Sequence, residues 1–169
     1  MSRLPLFTLE HSQYLPVAPH KAFAFFERPE NLALVTPPEL AFHLLTPSPV
    51  RMCRGALIDY TIRRFGLRLR WRTLISEYRP PHSFVDEQLS GPYSLWRHEH
   101  RFCAEAGGTR MLDCVVYALP NWLPGWVARL LERVYVRPQL ERIFSYREKR
   151  FAHLIQSATP LPHEVPGDA

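Results

Sequence analysis

The chain has 169 residues, 46% apolar and 12% aromatic, the size of one ordinary domain with ample material for one buried core. Its three cysteines, Cys53, Cys103 and Cys114, have no CxxC spacing, which speaks against a disulfide framework and a zinc ribbon. Net charge is +5, and 19 of the 21 basic residues are Arg, but these are scattered from Arg3 to Arg150 as on a solvated sheet face and predict no nucleic-acid interface.

No run of 18 apolar residues occurs, and the segment Met1 to Glu10 has no apolar stretch of the kind a secretory signal needs. The expectation is a cytoplasmic protein.

Seventeen prolines punctuate the chain and mark where elements stop. Phe7 to Tyr14 alternates as a first strand. Pro16 and Pro19 introduce Ala18 to Arg28, where Ala22, Phe23 and Phe26 recur at helical spacing, and Pro29 to Leu34 forms a second short helix before Thr36-Pro-Pro38. From Ala41 to Leu119 the period changes to two. Turn residues divide this stretch into strands at Phe42 to Leu45, Ala56 to Phe65, Leu67 to Tyr78, Ser83 to Leu89, Ser94 to Ala104 and Thr109 to Leu119, with Gly66 and Gly107-Gly108 closing tight hairpins. After Pro120 to Gly125, the positions Val127, Leu130, Leu131, Val134, Leu140, Ile143, Phe144, Arg147 and Phe151 form a helical stripe, which Pro138 should bend or restart. The reading is an α+β domain over residues 1–158: a seven-stranded curved antiparallel sheet, two short helices after the first strand and one long C-terminal helix. Thr159 to Ala169 is Pro-rich and is expected to be a flexible tail.

This order, together with Phe25-Phe-Glu-Arg-Pro-Glu-Asn-Leu32, Thr36-Pro-Pro38, Asp59-Tyr-Thr-Ile-Arg63, Arg70-Trp-Arg-Thr73 and Gly91-Pro-Tyr-Ser-Leu-Trp-Arg-His-Glu-His100, resembles the START-like or SRPBCC superfamily, which includes polyketide cyclases and coenzyme Q-binding domains. The resemblance implies a helix-grip fold with a ligand between the concave sheet face and the C-terminal helix. One helix cannot fill a strongly curved sheet, so the leftover volume is either packed or a pocket.

In Leu95-Trp-Arg-His-Glu-His-Arg-Phe102, Trp96, His98, His100 and Phe102 share one face, and the charged Arg97, Glu99 and Arg101 share the other. Asp86 and Gln88 on the preceding strand are in phase with one another, as are Met111, Asp113, Val115 and Tyr117 on the last. Asp is disfavoured in strands, yet three of the four, Asp59, Asp86 and Asp113, lie mid-strand. Each either pairs with a cross-strand Arg in solvent or serves a buried partner. Asp86 beside His98 or His100 would fix a tautomer and supply the general base of a cyclase or dehydratase.

The expected catalytic set is therefore His98, His100 and Asp86, and the ligand-binding set is Trp71, Thr73, Gln88, Trp96, Asp113 and Tyr117. Arg28 and Asn31 are candidates for the cavity mouth. His98-x-His100 with Asp86 or Asp113 offers metal ligands, but without a third His or a Cys at suitable spacing a hydrogen-bonded pair is the simpler reading, and neither metal nor cofactor is expected. With no nucleophile or phosphate motif present, binding of a small hydrophobic or aromatic metabolite (lipid, quinone or polyketide-like) leads, and the cyclase is the alternative. Trp122 and Trp126 either pack under the start of the helix or make a transient membrane or protein contact.

Overall fold

Hydrophobic periodicity and proline placement together dictate where the elements fall, and a computed structural model describes residues 5–64 and 66–156. The elements are β1 (Phe7–Leu15), α1 (Pro19–Phe26), α2 (Leu32–Val35), β2 (His43–Leu44), β3 (Leu57–Arg64), β4 (Leu67–Arg79), β5 (Ser83–Ser90), β6 (Leu95–Glu105), β7 (Gly108–Ala118), α3 (Gly125–Leu131) and α4 (Arg137–Gln156). The seven strands form one antiparallel sheet in the order β1-β7-β6-β5-β4-β3-β2, gripped by α3 and α4.

The expected boundaries shift for local reasons. The first helix stops at Phe26 instead of Arg28 because Arg28 precedes Pro29 and takes an extended backbone. The strand expected at Phe42 to Leu45 shrinks to two residues. The Leu45 and Thr46 amides both turn to the Asp59 carbonyl, and the Thr46 hydroxyl accepts the Asp59 N–H, which ends the ladder. Phe65 and the tail from Thr159 lie outside the described residues. Gly66 and Gly107 carry φ of +76° and +78° in the links after β3 and β6, a region that L side chains avoid.

The helix after β7 does not run straight through Pro138. Glu132–Val136 widens into a π turn in which the Arg137 amide reaches the Glu132 carbonyl, and Pro138 then sits in the first turn of α4, where its missing donor costs little. Among the described residues no helix is long and apolar enough to cross a membrane.

Two apolar clusters fill the space between sheet and helices. One packs Phe23, Phe25 and Phe26 of α1 against Phe84, Phe102, Met111 and Phe151. Ring centroids of Phe25 and Phe151 stand 5.0 Å apart and those of Phe23 and Phe102 5.4 Å. The other joins Trp71, Tyr93, Val115 and Tyr117 to Val136, Leu140 and Phe144 of the C-terminal helices. Burial of each such side chain stabilises by roughly 1.5–3 kcal/mol.

Candidate functional site

The alternation of β6 places Trp96, His98, His100 and Phe102 on the concave face, so both histidines point inward between the two apolar clusters. His100 stacks on Phe84 at 4.2 Å, and His98 meets the edge of Phe144 at 5.6 Å. The antiparallel register sets Asp86 of β5 opposite His98 and Asp113 of β7 opposite His100.

The contacts then cross. Asp113 Oδ1 lies 3.0 Å from His98 Nε2 and 2.8 Å from His100 Nδ1, the latter off the line of a good hydrogen bond. Asp86 Oδ2 lies 3.0 Å from His100 Nε2 and 3.6 Å from His98 Nδ1. Each carboxylate therefore touches both rings, whose centroids are 3.8 Å apart. The donor atoms of Asp86, His98 and His100 lie within 4.8 Å of one another, a spacing that a metal ion can bridge.

Burial resists ionisation of Asp113, but hydrogen bonds from His100 and His98 hold its carboxyl well below the usual range. Burial likewise opposes the charge on Asp86, and His100, His98 and Arg147 together hold its pKa down. Burial and the neighbouring His100 push His98 down. Burial also works against a charge on His100, yet bonds to Asp113 and Asp86 raise it above the ordinary value. The two imidazoles are thus shifted in opposite directions, His98 down and His100 up.

Above this cluster lie two adjoining cavities of about 140 and 130 Å³. Tyr60, Trp71, Trp96, His98, Leu32 and Arg147 line both. Thr73, Asp86 and His100 line only the first, while Tyr93, Leu140 and Phe144 line the second. Trp71 and Trp96 meet edge to face at 5.4 Å, and Tyr60 stacks on Trp71 at 5.8 Å, giving aromatic walls. Burial raises the Tyr60 phenol, and Asp86 adds to that shift.

The structure brings together His98, His100, Asp86, Trp71, Thr73 and Trp96 from the expected site and separates the other three. Asp113 lies beneath the histidines and does not line either cavity. Gln88 uses its amide on the Tyr93 backbone, donating to the carbonyl at 2.6 Å and accepting from N–H at 3.3 Å, which pins the loop before β6. Tyr117 is fully buried and donates to Glu132 Oε1 at 2.9 Å, tying β7 to the π turn. Neither lines a cavity. Asn31 is spent on the Phe25 carbonyl, and Arg28 lines neither cavity.

Sequence reasoning missed the role of Arg147. It occupies a cavity-facing position in the apolar stripe of α4, is 9% exposed, lies over the Phe144 ring at 5.3 Å, and has no protein partner for Nε. A charged residue interrupting an otherwise apolar stripe was the available signal. Trp122 and Trp126 do not pack under the helix start; they are the two most exposed of the large apolar side chains described.

No protein-family model and no curated protein sequence matches the chain. Solved structures do. The ZhuI aromatase/cyclase of a Streptomyces species aligns with a TM-score of 0.68 at 13% identity, covering 91% of this chain and 98% of that one. A Staphylococcus aureus protein of unknown function aligns with a TM-score of 0.69 at 11% identity over 92% and 96% of the two chains. Ara h 8.0201 aligns with a TM-score of 0.60 at 15% identity over 88% and 99%. The chain has the START-like, helix-grip fold. At these identities the likeness establishes architecture alone.

Proposed function

We propose that the protein binds a small, partly aromatic metabolite with an oxygen-bearing or carboxylate end, held between the concave sheet face and α4. The observation that carries this reading is the paired cavity, with aromatic walls from Tyr60, Trp71 and Trp96 and a buried polar end from Arg147, Asp86 and His98. A void of about 150 Å³ accommodates a benzene-sized molecule, so each cavity suits one ring and the pair suits a bicyclic or short linear compound better than a lipid tail. Arg147, with a free Nε in a desolvated setting, is suited to recognise a carboxylate or enolate oxygen.

Native mass spectrometry followed by denaturing extraction tests for a co-purifying compound, and thermal shifts with a panel of aromatic and bicyclic carboxylic acids test the chemistry. A ligand must raise the melting temperature of the folded chain by mass action, and Trp96→Ala and Arg147→Met should each abolish that rise. Stabilisation unchanged in both variants would remove the assignment of these residues.

The crossed His and Asp contacts favour a second reading, a cyclase or dehydratase-like enzyme in which a histidine at the cavity wall takes a proton from beside a carbonyl. Turnover of a polyketone that survives both His98→Ala and His100→Ala would exclude it.

A further inference from the structure

The concave face holds a buried carboxylate, Asp113, and a half-buried one, Asp86, close to two buried imidazoles, and the arrangement of those four groups points to a cation. Asp113 Oδ1 lies against the far nitrogens of both rings, hydrogen-bonded to His98 Nε2 at 3.0 Å and 2.8 Å from His100 Nδ1 in a poorly aligned contact. On the other side, His98 Nδ1 and His100 Nε2 converge on Asp86 Oδ2 at 3.6 and 3.0 Å, and the ligand atoms of Asp86, His98 and His100 lie within 4.8 Å of one another. Two imidazole nitrogens and a carboxylate oxygen aimed at one point, on the wall of a cavity, are a donor set that an ion can share. We propose that Asp86, His98 and His100 form a binding site for a divalent transition-metal ion of the zinc type, open on its remaining side toward the cavity.

The donor set and its support fit that ion. Zinc takes imidazole nitrogen and carboxylate oxygen at about 2.0–2.2 Å, which puts neighbouring tetrahedral ligands about 3.4 Å apart. The two separations from Asp86 Oδ2, 3.0 and 3.6 Å, bracket that value. Ligating histidines characteristically donate their other N–H to a carboxylate, which is the position Asp113 holds for both rings at once. Phe84 and Phe144 flank the pair and restrict rotation of the rings. All three ligands line the first cavity, and three protein ligands with one open position is the arrangement of sites that bind a substrate oxygen, not of closed structural sites. The metal site does not depend on the ligand reading; a loaded ion would offer the carbonyl or carboxylate oxygen of a cavity ligand a Lewis acid beside Arg147.

The test is titration of chelator-stripped full-length protein with Co²⁺ and Zn²⁺ in the absence of any organic ligand, so its outcome is separate from that of the ligand screen. One ion per chain is expected, with intense tetrahedral Co²⁺ absorption in the visible and an X-ray absorption signature of two imidazoles. Asp86→Asn and His98→Gln should abolish the bands, and near-UV circular dichroism checks that both variants fold. Asp113→Asn should retain the stoichiometry and weaken binding by about 10- to 100-fold, as expected of a positioning residue. Failure of wild type to bind either ion, or binding retained in both ligand variants through surface histidines such as His20 and His82, would overturn the proposal and leave the cluster with a proton in place of a metal.

A separate observation concerns α3 and the π turn. Trp122, Trp126, Leu130 and Val134 recur every four residues and are 77%, 70%, 53% and 60% exposed. The exposed Arg129 and Arg133 flank them, and the one acid in this stretch, Glu132, is buried in bonds to Tyr117 and Arg137. We infer that this face docks on an anionic lipid surface, with the tryptophans at headgroup level and the arginines meeting lipid phosphates. Flotation with phosphatidylcholine vesicles, with and without phosphatidylserine, is the test. Binding should require phosphatidylserine, weaken about fivefold for each of Arg129→Gln and Arg133→Gln, and vanish in Trp122→Ser/Trp126→Ser. Equal binding to neutral vesicles, no binding to either, or concentration-dependent dimerisation through this face would overturn it.

Discussion

The two faces of the sheet carry similar charged residue types in opposite circumstances. On the convex face Asp59 forms a two-point contact with Arg72, both bonds 2.8 Å, and Arg70 approaches the same carboxylate at 3.3 Å. Glu99 there sits between Arg97 and Arg101. Water shares every one of these contacts, and such pairs contribute about 0–1 kcal/mol. On the concave face Asp86 and the fully buried Asp113 meet two buried histidines instead of exposed arginines. Arginine would fix a permanent charge there, whereas imidazole can present a lone pair. That substitution of partner separates a solvated ladder from a site.

The largest difference between the faces is expected at high pH. Burial, then Glu132, raises the Tyr117 phenol, and burial raises Tyr93 as well. Phenols raised above their unfolded value near 10 stabilise the fold below that pH and lose this contribution as pH rises toward their folded values. Cooperative unfolding should therefore accompany tyrosine ionisation above about pH 10, read as coincident 295 nm and circular dichroism transitions. Normal titration of all seven tyrosines in a folded chain would contradict the burial described for this face.

Next in size is Asp113→Ala, which leaves two imidazoles without their shared acceptor and should cost about 3–5 kcal/mol in denaturant unfolding. A smaller loss, about 1.5–3 kcal/mol, is expected for Tyr117→Phe, which removes a buried bond to a charged acceptor. The smallest is Asp59→Ala on the convex face, at about 1 kcal/mol or less. Its carboxyl is held below the usual range first by the Arg72 hydrogen bond, so its contribution is present above about pH 4 and is lost as acid protonates it. An Asp59 effect as large as that of Asp113 would erase the contrast between the faces.

The sequence made the inward face of β6 legible because a period of two fixes which residues share a side, and His98 and His100 were placed with Trp96 on that ground alone. Phase does not name the neighbour across the gap. Gln88 and Tyr117 have the phase of site residues, yet a loop covers one and the π turn takes the other. Asp59 and Asp86 look alike as mid-strand acids and differ only in face, which the inward run Ile58, Tyr60 and Ile62 decides for Asp59. Arg147 was visible as part of the helix stripe, but its approach to Asp86 depends on how α4 crosses the sheet, a long-range property that no local pattern encodes. The order of elements was readable almost throughout because prolines and glycines mark nearly every boundary.

The π turn also has a bearing on insertions and deletions. It inserts one residue more than an α-helix needs between Trp126 and Arg147, and each residue of helix turns the chain by about 100°. Excision of a single residue from Glu132–Val136 would restore a regular helix and leave Arg147 and Phe144 close to their present orientation, because the wider turn already absorbs the extra residue; the same excision from the regular part of α4 upstream of Phe144 would turn both away from the cavity. In a lineage of related chains, the π turn is therefore the point where the helix can gain or lose one residue while its cavity-facing side stays in place.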